Sequence, residues 1–173
     1  DLSGRAAGLP VYKLLGGHVR DRVKVYRSIR GKDGKEAAEQ AKQLNEEYGF
    51  TAFKASPFLL EPNSNRWGRV CAAAAKYFED FRANTPDDWE VAFDPHAKIF
   101  SPIRALQLAN ALAPYDPLFY EEPLRPENSD AWAKLRSQMT VPLATGESLY
   151  TRFEFLDLLS KEGADIIQPD ICA

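Results

Sequence analysis

Four acidic side chains recur at regular spacing, each at the end of a short apolar run. Val91-Ala92-Phe93 leads into Asp94-Pro95-His96, and Pro117-Leu118-Phe119-Tyr120 into Glu121-Glu122-Pro123. Val141-Pro142-Leu143-Ala144-Thr145-Gly146 leads into Glu147, and Ile166-Ile167-Gln168-Pro169 into Asp170. The successive steps from Asp94 to Glu121, from Glu121 to Glu147 and from Glu147 to Asp170 are 27, 26 and 23 residues. That is the length of one strand, one crossover helix and their loops, so one acid is delivered per βα unit. Parallel strands closed into a barrel point the same way, and acids at their C-terminal ends converge on one mouth. Convergent carboxylates suit a hard divalent cation. His96, two residues past Asp94, projects from the same side of an extended chain and can exchange a proton near neutral pH. Lys54 ends an earlier run, Thr51-Ala52-Phe53. Among carboxylates it could bind a substrate anion or move a proton; it could equally be a lysine whose stem covers apolar surface.

Each of these residues has a blander reading. An acid after a strand is often only the cap of the next helix. Here Ser101, Asn128 or Ser129, and Thr151 already stand in the capping positions, and Asp94, Glu121 and Glu147 are separated from their helices by loops containing proline or glycine. Glu121 and Glu122 are adjacent and must point to opposite sides of a strand. Only one can face the mouth; the other is expected to be structural, satisfied in a loop or against the outer shell. His18 follows Gly16-Gly17 on a loop and reads as exposed. Arg152 and Tyr150, just past Glu147, are weaker candidates for the site or plain surface groups at a helix start.

The elements that must position these groups follow from punctuation and periodicity. Residues 1–17 read as a helical lead-in, with Ser3 capping one turn, Pro10 opening the next and Gly16-Gly17 stopping it. Strands are expected at 22–29, 51–54, 89–93, 118–120, 141–144 and around Ile166-Ile167. Helices are expected at 33–49, opened by the Asp33/Glu36 capping box, at 66–84, from Ser101-Pro102 to about 113, from 128 or 129 to about 138, and from the Thr151/Glu154 capping box to Gly163. A loop rich in proline and asparagine fills 56–65. The result is one domain over residues 1–173 of six βα units (22–173) after the lead-in. Complete barrels need eight units and about 250 residues. The chain therefore reads as an incomplete (β/α) TIM-type barrel or as an open doubly wound sheet. The barrel is the preferred reading, because the last strand has no helix to cover it.

Composition narrows the partners. The 173 residues are 45% hydrophobic and 27% charged with a net charge of −3, enough for one sizeable core. There is no basic stripe for nucleic acid, no apolar run of membrane length and no signal peptide. Cys71 and Cys172 are too few for a disulfide scaffold and lack metal spacing, which points to a reducing cytoplasm.

With these residues assembled, the chain resembles the mandelate racemase/muconate lactonizing enzyme branch of the enolase superfamily, most closely the acid-sugar dehydratases of the galactonate and gluconate type. The motifs that carry the resemblance are Gly16-Gly17-His18-Val19-Arg20-Asp21-Arg22-Val23, Lys54, Phe93-Asp94-Pro95-His96, Tyr120 through Asn128 (YEEPLRPEN), Ala144-Thr145-Gly146-Glu147 and Ile166-Ile167-Gln168-Pro169-Asp170. The resemblance implies a Mg²⁺ site from Asp94, Glu121 and Glu147, holding a substrate carboxylate and the enediolate formed when the α-proton leaves. It implies that His96 protonates a departing hydroxyl, that Asp170 orients a basic histidine, and that Lys54, His96 and Arg152 meet the substrate. It further implies a homo-oligomer, a dimer or an octamer. The basic histidine, the eighth strand and an N-terminal capping domain would lie outside residues 1–173, so this stretch alone is expected to be inactive. Many relatives carry a second lysine two residues after the first; Ser56 stands there, which favours a one-base elimination over a racemase or cycloisomerase. The remaining rival is a non-catalytic scaffold whose acids serve as caps and ion pairs.

Overall fold

Every strand of the sheet alternates between two environments, and that alternation decides which side chains reach the site. In the computed structural model, which describes residues 1–170, six parallel strands pair in strict chain order. They are β1 (Arg27–Ser28), β2 (Ala52–Ala55), β3 (Glu90–Phe93), β4 (Tyr120–Glu121), β5 (Leu143–Thr145) and β6 (Ile166–Ile167). A doubly wound sheet reverses its strand order at a switch point; here no reversal occurs, so the barrel reading holds. Right-handed crossovers in a constant direction put all connecting helices on one face, and the sheet curls around the other. The lead-in helices α1 (Leu2–Ala7) and α2 (Val11–Leu14) precede the sheet. The crossovers are α3 (Gly34–Tyr48), α4 (Trp67–Ala83), α5 (Pro102–Leu112), α6 (Ser129–Arg136) and α7 (Arg152–Ser160), each packed on the next.

The helix-facing side of the sheet carries Phe53, Ala55, Val91, Phe93, Tyr120 and Leu143, which join Phe78, Phe81, Leu108, Leu112, Trp132 and Leu135 of the helices in the main core. Aromatic rings dominate it, with Phe93 on Tyr120 at 4.5 Å and Phe53 on Trp89 at 5.2 Å between centroids. The other face holds a small second cluster of Ala92, Phe119 and Ala144, with Leu118 and Ile166 against it. Lys54 and Glu121 share this inner parity, which is why a two-residue period brings them to the mouth. Arg82 ties three elements by donating to the carbonyls of Trp89, Tyr115 and Asp116.

Most helix boundaries follow the expected capping chemistry. The Asp33 side chain accepts from the Glu36 N–H, Gly49 closes α3 at φ 76°, Asn128 caps α6, and Thr151/Glu154 forms a complete capping box. Ser101 occupies the N-cap position of α5 without a side-chain cap bond, leaving Pro102 to set the first turn. At the lead-in, Asp1 rather than Ser3 is the N-cap, and Pro10 sits one place earlier than expected, at the N-cap of α2. The expected strand at 22–29 shrinks to Arg27–Ser28. Its ladder partner β2 meets it only at Phe53 and Lys54, and residues upstream have no strand to pair with among the described residues, leaving Val23 and Val25 68% and 59% exposed. The strand expected at 118–120 forms at Tyr120–Glu121, and that expected at 141–144 forms at Leu143–Thr145. No helix among the described residues is long and apolar enough to cross a membrane.

The α3–α4 contact generates the first prediction. A Cβ at Gly34 would lie 1.9 Å from the Tyr77 carbonyl and 2.8 Å from the Phe81 nitrogen, whereas one at Gly68 would meet nothing within 4 Å. Gly34→Ala is expected to destabilise by about 1–3 kcal/mol or more in chemical denaturation, and Gly68→Ala to change stability by no more than about 0.5 kcal/mol.

Candidate active site

Lys54 leaves β2 on the inner face. Its Nζ donates to Glu121 Oε1 at 2.7 Å and lies 3.2 Å from Asp94 Oδ2. Glu121 is 3% exposed and Lys54 16%, so this is a buried ion pair extended by a third charge. Burial works against the ammonium, but Glu121 and Asp94 outweigh it and hold the lysine pKa above its ordinary value. The Tyr26 ring lies 5.6 Å from Nζ and packs edge-on against Phe119. Gln168, past β6, donates through Nε2 to Glu121 Oε2 and to the Tyr26 hydroxyl, both at 3.2 Å. Tyr26 and Gln168 are therefore members of the cluster that residue types alone did not single out. Gln168 was within reach, since it shares the parity of Ile166; Tyr26 required the β1–β2 register, which no motif encodes.

His96 occupies the next position around the mouth. Its Nδ1 lies 3.7 Å from Asp94 Oδ2 and 3.5 Å from Glu147 Oε1. The turn that presents it is unusual: His96 and Ala97 both adopt left-handed backbone, φ 55° and 53°. It is held by Asp94 Oδ1 accepting from His96 N at 2.7 Å and by Ala97 N and Ile99 N donating to the carbonyls of Glu122 and Pro123. Left-handed non-glycine residues cost about 1–3 kcal/mol each and persist where the surroundings over-determine them. Glu147 follows Gly146 (φ 135°), whose conformation only glycine adopts readily. Burial raises the Glu147 carboxyl above the usual range; Glu122, Glu121 and Asp94 push the same way, and His96 opposes.

Glu122 is 1% exposed and faces away from this cluster. It accepts from Thr145 Oγ1 at 2.9 Å, Ser148 Oγ at 3.1 Å and Gly146 N at 3.4 Å. It ties the loop after β4 to the loop after β5, the structural role expected of one member of the pair.

The carboxylates of Asp94, Glu121 and Glu147 thus belong to one cluster, but as acids bridged by Lys54 and His96. Among the described residues no group of three or more His, Cys, Asp or Glu stands together so as to hold a metal ion, the acids here being drawn onto Lys54 and His96. The donor set still fits a hard cation in its chemistry: three carboxylates gather around one lysine and one histidine. Asp170 is exposed beyond the end of β6. Arg152 is exposed too, stacked on its neighbour Phe153 with the guanidinium 4.9 Å from the ring centroid, outside the Lys54–His96 cluster. This geometry gives no support to the expected substrate contact. His18 pairs with Asp21 at 3.2 Å on the surface, as expected.

Parallel strands in barrel order, with charged groups gathered at their C-terminal ends, define an α/β-barrel site. A model of the family described as enolase C-terminal domain-like matches residues 36–173, and the chain belongs to that family. D-galactonate dehydratases from Pectobacterium atrosepticum and Ralstonia nicotianae are each 36% identical to it, over 99% of this chain and 44% of theirs. A crystal structure of an enolase from Agrobacterium radiobacter, provisionally assigned as a galactarate dehydratase and bound to Na and L-malate, is 59% identical with a TM-score of 0.92. It is covered over 100% of this chain and 44% of that one. A mandelate racemase/muconate lactonizing enzyme-like protein from Rubrobacter xylanophilus is 30% identical, with a TM-score of 0.83 over 98% of this chain and 49% of that one. The chain spans less than half the length of each of these relatives.

The buried pair makes a prediction that separates charge from packing. Lys54→Met leaves Glu121 buried without its cation and is expected to cost about 3–5 kcal/mol in urea or guanidinium unfolding. The double variant Lys54→Met/Glu121→Gln is expected to recover a large part of that loss, a coupling that additive effects would not produce.

Proposed function

We propose that this chain supplies the barrel face of a hydro-lyase that dehydrates a sugar acid to a 2-keto-3-deoxy acid. The observation that carries the reading is His96, held by a strained and fully bonded turn between the carboxylates of Asp94 and Glu147, beside the Lys54–Glu121 pair. The dehydratase names of the relatives support the reaction class.

In this reading a base oriented by Asp170 takes the C2 proton, leaving its electron pair in an enediolate, and that pair then forms the C2–C3 double bond as the C3–O bond breaks. His96 gives its proton to the leaving hydroxyl, which departs as water, and the enol tautomerises to the keto acid. Lys54 puts a positive charge on the inner face where the substrate carboxylate docks, and Gln168 and Tyr26 hold Glu121 and Lys54 in position. Asp94, Glu121 and Glu147 are the residues that would hold Mg²⁺, which when bound offsets the negative charge gathering on an enediolate. Ser56, where a two-base enzyme of this branch carries a second lysine, supports elimination over racemisation.

Intact protein with Mg²⁺ is expected to form a 2-keto-3-deoxy acid from aldonates or aldarates in a keto-acid assay, with activity lost on chelation and restored by added Mg²⁺. His96→Asn is expected to lower turnover on the order of 10²–10⁴-fold, with an unaltered unfolding midpoint because the side chain is exposed. Glu147→Gln is expected to weaken Mg²⁺ binding by calorimetry while slightly stabilising the metal-free protein at neutral pH. No keto acid from any sugar acid would overturn the proposal.

A further inference from the structure

Glu122 stands outside the Lys54–His96 cluster, yet every polar atom it has is bonded to a neighbouring strand or loop. Its N–H donates to the Ala144 carbonyl at 3.0 Å, and its carbonyl accepts from Ala97 N at 2.7 Å. One carboxylate oxygen takes Thr145 Oγ1 and Gly146 N, and the other takes Ser148 Oγ. The Ala97 bond fixes the turn that presents His96. Thr145 and Gly146 precede Glu147 and Ser148 follows it, so the carboxylate grips both sides of that acid. His96 follows β3 and Glu147 follows β5, with β4 and Glu122 between them.

The backbone of Glu122 is itself left-handed, φ 37°. With His96, Ala97 and Gly146 it makes four such residues in three consecutive loops, and bonds run from Ala97 and Gly146 to Glu122. Strain of this kind persists where the surroundings over-determine it. The far side of the Glu147 turn is closed as well. A Cβ at Gly146 would meet Phe155 Cε1 at 2.9 Å and Gln168 N at 3.0 Å, so the turn is wedged between Glu122 and α7. Packing alone does not call for a carboxylate in this place. At 1% exposure it has left water, a cost that an apolar side chain of the same length would avoid. What it supplies is an acceptor for three donors at once. We infer that Glu122 is a positioning residue, which sets the proton donor His96 against Glu147, 3.5 Å away, from behind both. Its role in the reaction rests on the dehydratase reading.

The test compares Glu122→Met and Glu122→Gln with the natural sequence in the intact protein, well below each unfolding midpoint. Methionine keeps the length and removes the acceptors. Glutamine keeps one oxygen for Thr145 and Gly146, and its amide donates to Ser148 once that hydroxyl turns. Glu122→Met is expected to weaken Mg²⁺ binding in calorimetry by about 10- to 100-fold. At saturating Mg²⁺ it is expected to lower kcat by about the same factor, with a smaller change in KM. Glu122→Gln is expected to recover most of both losses. In metal-free protein the His96 ring resonances, assigned by their absence in His96→Asn, are expected to move in Glu122→Met and to stay in place in Glu122→Gln. If Glu122→Met does not fold, Thr145→Val/Ser148→Ala removes two donors, keeps the carboxylate, and is expected to lose Mg²⁺ affinity and kcat in the same direction. Natural Mg²⁺ affinity and kcat in the folded variant, or equal losses in Glu122→Met and Glu122→Gln, would overturn the role. A natural sequence that yields no keto acid would instead overturn the dehydratase reading, and Mg²⁺ affinity with the His96 resonances would then decide whether Glu122 positions Glu147 and His96.

Discussion

The arrangement depends on one buried ammonium. Lys54 is the cation at the centre of the acids, and its two contacts join β2 to β3 and β4 across the inner face. Removing charges from water costs several kcal/mol per ion, repaid only when geometry and further hydrogen bonds satisfy the remaining lone pairs. The structure meets that condition on both sides: Gln168 takes the second oxygen of Glu121, and Asp94 uses its other oxygen to hold the His96 backbone. The same contacts that make the acids tolerable also fix where the imidazole stands. Stability and site geometry are thus one interaction network here, and His96 inherits its position from a lysine on the neighbouring strand.

That network also explains which parts of the protein were legible in the sequence. Strand–acid spacing and capping boxes are local signals, so β3 to β6 and the helices could be read directly. The split between Glu121 and Glu122 followed from the two-residue period alone. What failed was what depends on partners. The 22–29 run alternates correctly, yet a strand exists only where a neighbour offers a ladder, and β2 offers two positions. Spacing predicts which acids arrive at the mouth, not which cations arrive with them, so the places of Lys54 and His96 between the carboxylates came only with the structure. Tyr26 reaches the cluster only through the β1–β2 register, a fact of pairing and not of residue type.

The two faces of the sheet divide labour by side-chain size. The helix-facing side is built from large aromatic rings, while Ala52, Ala92 and Ala144 lie on the inner side. Small inner residues leave room for long polar chains to cross the interior, which is how Lys54 reaches both Asp94 and Glu121.

The rim around the mouth is unevenly braced. Ala97 N and Ile99 N bind the carbonyls of Glu122 and Pro123, and the Glu122 carboxylate binds Thr145, Gly146 and Ser148, so the loops after β3, β4 and β5 form a single girder. Among the described residues the side-chain hydrogen bonds of the 56–65 segment are internal, those of Ser56, Glu61, Asn63 and Asn65. Thermal opening on that side therefore costs less than on the other. The braced half keeps His96 still.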